Sequence, residues 1–324
     1  MIDIFTTKPK KGEPWDIVII GSGPAGLTSA IYTTRGAAST LLLAGDIWGG
    51  QLMLTTVVDN FPGFPNGIEG PELLKNMRAQ AERFGVEFIE KNATSVKLDQ
   101  SPFALSTNEN TYTAKSIIIA TGADTRWLNV PGEDALRGRG VSSCAPCDAP
   151  FFKDKKVIVI GGGDSAMEEA LVLTKYAREV HLIHRRGELR ASAAMQKRVL
   201  ENKKISLIYN TEITEFKGQD KLETVVLKNN QTGRVTEFAA DGAFVAIGHS
   251  PTTSIFQNKL DLDEKGYIKR LEKDGYKSAT SIPGVFVAGD VHDVHYKQAI
   301  TAAGYGCIAA MEALKYLDKP TPSW

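Results

Sequence analysis

Apolar and polar positions along the chain fall into two similar series. Residues 16–20 form a short apolar run of strand character that feeds a glycine-rich loop. Residues 24–34 then read as a helix stopped by Gly36, and residues 39–43 as a second buried strand. Residues 48–65 are rich in Gly, Pro, Asn and Thr and predict a long loop. Over 71–84, Leu73, Leu74, Met77 and Ala81 recur at helical spacing, with Gly85 at the end. From 86 to 115 the pattern changes to short alternating strands, and 116–120 is an apolar strand closed by Thr121-Gly122.

The second half repeats this plan. A strand is predicted at 157–160, a helix at 164–176, a strand at 180–183 and alternating strands over 205–239. Residues 242–247 form another apolar strand, closed by Gly248, so 116–122 and 242–248 hold equivalent places in two units. A last strand, 284–288, ends at Gly289-Asp290, and a helix-like stretch covers 297–316. This tail has no glycine fingerprint, so the simplest reading returns it to the first domain. The expectation is an α/β fold of two Rossmann-like, three-layer ββα dinucleotide-binding domains, the second inserted in the first. Residues 1–123 and 253–324 would form one and 124–252 the other, with linkers near 122–127 and 248–253.

Composition narrows the setting. The chain has 324 residues, with 38 Lys plus Arg against 38 Asp plus Glu, so no general charge draws it to nucleic acid or to an anionic membrane. No apolar stretch has the length of a membrane span, and the first 15 residues lack the apolar core of a signal peptide. They read as a short extension on a cytoplasmic protein. Three cysteines are too few for a disulfide-stapled secreted scaffold.

Two of them, Cys144 and Cys147, enclose Ala-Pro and are followed by Asp148. Four-ligand zinc has no second pair to complete it, so no metal site is expected and a redox dithiol is the stronger reading. Cys307, in an apolar helical run, reads as a buried small hydrophobe. Asp148 is either an acid–base group for a leaving thiolate or a turn cap. The dithiol lies between Gly21-Ser-Gly23-Pro24-Ala25-Gly26 and Gly161-Gly-Gly163-Asp164-Ser165-Ala166. Each fingerprint follows a strand and opens a helix, where backbone N–H groups and the helix dipole can hold a pyrophosphate. The alternative at the first is a tight turn without a ligand; at the second it is a solvated basic stretch after the strand. A dithiol between two dinucleotide sites suggests an electron relay from nicotinamide through flavin to a disulfide.

The ribose end differs between the two sites. After the first fingerprint the acid expected at the end of the second strand is missing: Ala44 stands there, with Asp46 two residues on. After the second, the strand ends in His184-Arg185-Arg186, with Arg190 beyond. Guanidinium groups suit a 2′-phosphate, so NADP is favoured over NAD. His292 and His295 flank Asp293 in what reads as a loop near the flavin. His181 reads as packing and His249 as a loop residue near the second cofactor.

With these residues placed, the chain resembles the low-molecular-weight thioredoxin reductases over about residues 15–317. The motifs are Gly49-Gly50-Gln51-Leu52, Asp59-Asn60-Phe-Pro-Gly63, Ala120-Thr121-Gly122, the Cys pair with Asp148, the second fingerprint, His184 to Arg190, Ala246-Ile247-Gly248-His-Ser-Pro251 and Ala288-Gly289-Asp290. The resemblance implies FAD in the first domain, on Gly21, Gly23, Pro24, Ala25, Gly26, Gly50, Gln51, Leu52, Asn60, Thr121, Gly122, Gly289, Asp290, Lys297, Gln298 and Ala299. It implies NADPH in the second, on Gly161, Gly163, Asp164, Ser165, His184, Arg185, Arg186, Arg190, Ile247 and Gly248. It also implies that reduced flavin attacks Cys147, that Cys144 attacks the disulfide of thioredoxin, that Asp148 is the acid, and that the protein is a homodimer whose domains rotate. Two positions depart from the family pattern: Pro146 replaces Thr or Val in the dithiol motif, and Lys297 replaces Arg before Gln298-Ala299. Another thioredoxin-like redoxin as acceptor, or ferredoxin as donor, keeps the same relay; the three arginines argue against ferredoxin. A flavin-bound redox sensor with little turnover is the reading from a different class.

Overall fold

The computed structural model describes residues 8–55 and 57–318; the first half of the N-terminal extension and the last six residues lie outside it. The chain divides into two compact units, residues 1–124 with 250–324, and residues 125–249. The chain changes unit within the short strands Ala123–Thr125 and His249–Pro251. His249 therefore starts a strand rather than lying in a loop.

In the first unit five strands run parallel in the order Val285–Val287, Thr111–Ile119, Trp15–Ile20, Thr40–Leu43, Glu87–Ile89. Alternation along these strands sorts their side chains onto two faces. Ile17, Ile19, Leu42, Ile118 and Phe286 pack against the helices Pro24–Arg35, Gly70–Arg83 and Ala299–Leu317. Val18, Ile20, Leu41, Leu43, Ile117 and Ile119 pack on the opposite face with Val96, Phe103 and Leu105. Fully burying each such aliphatic side chain contributes roughly 1.5–3 kcal/mol, which explains why the parallel strands read as continuous apolar runs. The run at 116–120 is the inner end of one longer strand, Thr111–Ile119, whose outer end pairs antiparallel with Phe103–Ser106.

The second unit repeats the order, with Val141–Ser142, Gly242–Val245, Lys156–Ile160, Glu179–Ile183 and Ile205–Ile208 all parallel. Val157, Val159, Leu182 and Phe244 face the helices Asp164–Leu173 and Ala193–Leu200. Ile158, Ile160, Ile183 and Val245 face a three-stranded antiparallel sheet through Ile213, Phe216, Val225 and Leu227.

Several expectations are corrected. The long loop over 48–65 contains a 3-10 turn, Gly50–Leu54, and the strand Val57–Val58, which pairs with Ile68–Glu69. The helix expected to reach residue 176 ends at Leu173, where the Thr174 hydroxyl donates to the Leu171 carbonyl and Lys204 Nζ binds the freed carbonyls of Thr174 and Ala177. Cys307 is only half-buried; its sulfur lies 3.9 Å from that of Met311, which is 58% exposed. No described helix is long and apolar enough to cross a membrane.

Asp16 ties the first two parallel strands together at their outer ends. Its carboxylate accepts the Ser39 N–H at 2.9 Å, the Ser39 hydroxyl at 2.8 Å and Lys115 Nζ at 2.7 Å. Burial alone would raise its pKa, but these donors outweigh burial and hold it below 3.8. The stabilisation is therefore complete above pH 3.8 and is lost as pH falls through the lower folded value. Asp16→Asn should cost about 1–2 kcal/mol at pH 7, and the gap should close under acid. Urea denaturation at neutral and acidic pH checks this; an equal gap at both would contradict the assignment.

Candidate functional site

Each glycine loop sits at the carboxyl end of its parallel sheet, and both are held by the same kind of close backbone approach. At Gly21, where φ is +108°, a Cβ would stand 2.2 Å from the Ala120 carbonyl oxygen. At Gly161 a Cβ would stand 2.4 Å from the Ala246 oxygen. Gly26 is closed in the same way, 1.9 Å from the Gly21 oxygen. Gly23 and Gly163 are different. A Cβ on Gly23 meets only the Gly49 oxygen, at 3.9 Å, and one on Gly163 meets nothing within 4 Å. Packing requires the first set of glycines, whereas the second set faces open space at the N-termini of Pro24–Arg35 and Asp164–Leu173. Such a cradle fits a pyrophosphate at a helix start.

Around the first loop, the Ser22 hydroxyl donates to the Ala44 carbonyl and accepts the Gly49 N–H, which brings Gly50, Gln51 and Leu52 to the loop. Gln51 Nε2 donates to Asp124 Oδ1 at 3.1 Å, and Asn60 Nδ2 donates to Gln298 Oε1 at 3.2 Å. Gly122 has φ of +72° with open space beside it, and the Thr121 hydroxyl donates to the Thr252 carbonyl. Asp290 Oδ1 is buried and has no hydrogen-bond partner. Burial pushes its carboxyl up to about 6, with Asp293 adding and Lys297 opposing. An orphaned buried oxygen on the rim of a glycine cradle is what a polyhydroxylated ligand would satisfy, so these residues fit a flavin dinucleotide.

The expected helix start at 297 is shifted. Gln298 is the N-cap of Ala299–Leu317 and forms a reciprocal capping box with Thr301, while Lys297 sits before it in the left-handed region at φ +47°. Lys297 Nζ donates to the Val294 carbonyl at 2.7 Å. Asp293 accepts the N–H groups of His295, Tyr296 and Lys297, so it caps this turn. His292 packs edge-on to Tyr305 at 4.5 Å, and burial drives its pKa down to about 4.

In the second unit the arginines gather. Arg186 and Arg190 line a cavity of about 420 Å³ with Gly187, Glu188, Asn210 and Gln231. Arg185, Arg186 and Arg190 are exposed, as is Ser165. His184 does not share that exposure. It is buried, Nε2 lies 2.9 Å from the Glu188 carbonyl, and its ring fills the space where a Cβ on Gly162 would go. Burial lowers its pKa, which keeps the ring neutral. Gly162 in turn accepts the N–H groups of Arg190 and Ala191, so His184 and Gly162 together position the arginine segment. Asp164 accepts the Ser192 N–H and hydroxyl. Ile247 is exposed, and Gly248 has φ of +107° with open space beside it.

Cys144 and Cys147 form a disulfide. Cys144 is the N-cap of a short helix, Ala145–Asp148, and its carbonyl accepts the N–H groups of Cys147 and Asp148. Pro146 lies in the first turn, where an N–H has no helical partner, so the departure from the family pattern breaks no hydrogen bond. Asp148 Oδ2 accepts the Ser142 hydroxyl at 2.5 Å, and Ser142 Oγ accepts the Cys144 N–H at 3.1 Å. Burial raises the Asp148 carboxyl above its usual range, partly offset by Ser142. Two residues of this cluster, Ser142 and Glu169, are not flagged by any motif. Glu169 receives the Ala145 N–H from 24 positions away in sequence, a contact that no local pattern encodes.

Comparison with known proteins agrees with this geometry. The family model of the pyridine nucleotide-disulphide oxidoreductases matches residues 15–306. The chain is 49% identical over 304 residues to a thioredoxin reductase of Streptomyces clavuligerus, covering 93% of this chain and 94% of that protein. The crystal structure of thioredoxin reductase from Streptococcus pyogenes aligns with TM-score 0.89 at 40% identity, covering 94% of this chain and 98% of the other. That from Giardia duodenalis aligns with TM-score 0.90 at 41% identity, covering 95% and 100%. The chain thus belongs to the pyridine nucleotide-disulphide oxidoreductases, in their thioredoxin reductase group.

Proposed function

We propose that the protein reduces thioredoxin with electrons from NADPH, by way of FAD and the Cys144–Cys147 disulfide. The observation that carries this reading is a half-buried disulfide in the same unit as an arginine-lined cavity, with a largely buried carboxyl accepting a hydrogen bond from the serine that supports the pair. The family uses FAD and NADPH. FAD, when bound, supplies the two-electron centre between nicotinamide and disulfide.

The residues divide the work. In the first unit the open faces of Gly23 and Gly122, the Gly50–Leu52 turn, Asn60, Gln298 and Asp290 hold FAD. In the second, Gly163 and the start of its helix hold the NADPH pyrophosphate, and Arg185, Arg186 and Arg190 take the 2′-phosphate. Electrons enter at Cys147, and Cys144 leaves as a thiolate. Cys144 then attacks the thioredoxin disulfide to form a mixed disulfide. Cys147 resolves it, closing the Cys144–Cys147 bond again and releasing the thioredoxin dithiol. Asp148, whose carboxyl burial shifts toward its protonated form, passes a proton to a leaving thiolate and recovers it on the next exchange. The working form is a homodimer, supported by an apolar face around Tyr32, Cys307 and Met311, and its place is the cytoplasm, with no nucleic acid or membrane partner.

Two outcomes check this. Cys147→Ser should keep fast anaerobic bleaching of the flavin by NADPH and lose thioredoxin reduction; full reduction in that variant would end the relay. Replacing Arg186 and Arg190 by Ala should raise the KM for NADPH by on the order of tenfold or more, through lost charge-assisted phosphate contacts, and leave NADH nearly unchanged. An equal loss for both nucleotides would count against the 2′-phosphate assignment. For the cradle, Gly23→Ala should fold normally and weaken FAD binding by on the order of tenfold, about 1.4 kcal/mol. Flavin content after desalting, set beside the melting temperature, measures it; unchanged FAD affinity would show that Gly23 does not approach the cofactor.

A further inference from the structure

A second, largely buried carboxyl stands at the redox pair, and the relay above does not use it. Glu169 lies on the helix Asp164–Leu173, which starts at the second glycine loop. Its Oε2 accepts the N–H of Ala145, the fully buried residue next to Cys144. That N–H belongs to the first turn of the short helix and has no helical acceptor, and Cys144 makes no side-chain cap. Glu169 therefore supplies the cap from another helix. Asp148 holds the same turn from the other side, through Ser142 and the Cys144 N–H.

The charged groups that face Glu169 are Asp148 on the short helix and Glu168 on its own helix, and both are acidic. Burial, helped by these two, pushes the carboxyl up to about 7, while the Ala145 N–H opposes. The group is thus poised to gain or lose a proton near neutrality.

We propose that Glu169 is a positioning residue of the redox pair, one that fixes the Cys144–Cys147 turn through Ala145 and takes up a proton from solvent when the disulfide is reduced. Two electrons break the S–S bond. One sulfur takes a proton and becomes the Cys144 thiol, and the other remains the Cys147 thiolate. The second proton goes to the Glu169 carboxylate, so no net charge is added to a site already crowded with acids. When the electrons leave to an acceptor disulfide, the S–S bond closes and both protons are released. This rests on the reading of the pair as redox-active.

The test uses the FAD-loaded protein with dithiothreitol as reductant, wild type against Glu169→Gln and Glu169→Ala. Reduced-minus-oxidised infrared spectra of the wild type should gain the C=O band of a protonated buried carboxyl, and Glu169→Gln should lack it. In dithiothreitol redox buffers, the dithiol-to-disulfide ratio should rise about fivefold more from pH 8 to pH 6 in the wild type than in Glu169→Gln, for a one-unit rise of the carboxyl pKa on reduction. The amide of Glu169→Gln keeps an oxygen for the Ala145 N–H. It should therefore retain the wild-type rate of Cys144 alkylation, which Glu169→Ala should change several-fold. The same band and pH dependence in Glu169→Gln, or no band in the wild type, would overturn the proposal. Failure of the two thiols to appear at all would instead overturn the redox reading, and this inference with it.

Discussion

Backbone-to-backbone contact at the ends of the parallel strands is the constraint on which the rest of the molecule depends. At Gly21 against Ala120, and again at Gly161 against Ala246, the chain comes closer than any side chain allows. This closeness lets a buried strand turn at once into a helix, with open space beside Gly23 or Gly163 at its start. The parallel sheets beneath both loops are apolar on both faces, so the loops stand on rigid ground. Chemistry is then added by what surrounds each cradle: the unpartnered Oδ1 of Asp290 at one, an arginine cavity at the other.

The redox pair obeys a different logic. In its short helix the Cys144 carbonyl accepts the N–H groups of Cys147 and Asp148, while the N–H groups at its start, those of Cys144 and Ala145, are satisfied from outside, by Ser142 (itself bonded to Asp148) and by Glu169. The buried acids that do this carry raised pKa values because burial disfavours their charge. The scaffold that fixes the cysteines thereby also places carboxyls shifted toward their protonated form next to them. The helix that opens at the second glycine loop also carries Glu169, so one element adjoins the loop and holds the disulfide turn through Ala145.

How much of this was legible beforehand depends on how local each feature is. The glycine loops, the arginine run and the Cys pair are contiguous, and their strand–loop–helix context is written in the hydrophobic pattern around them. The placement of the tail in the first unit could be inferred because 284–288 has strand character but no loop of its own. Features made by distant contacts were not visible. His184 reads as one more basic residue beside the arginines, yet it is buried beneath Gly162 and shapes the loop instead. Lys297 reads as the start of a helix, but the capping box of Gln298 and Thr301 moves that start and leaves Lys297 at positive φ. Cys307 sits in an apolar run, yet its position beside an exposed Met311 leaves the thiol half-buried.

In the proposed relay one chain holds two redox centres in series, a flavin and a dithiol. The most direct measurement is an anaerobic reductive titration of the flavin-loaded protein, counting electrons taken up per chain. Uptake of about four electrons, two for the flavin and two for the disulfide, is the expected result, falling to about two when Cys144 and Cys147 are both replaced by serine. Uptake of only about two by the unmodified protein would contradict the account, because the disulfide would then stand outside the path.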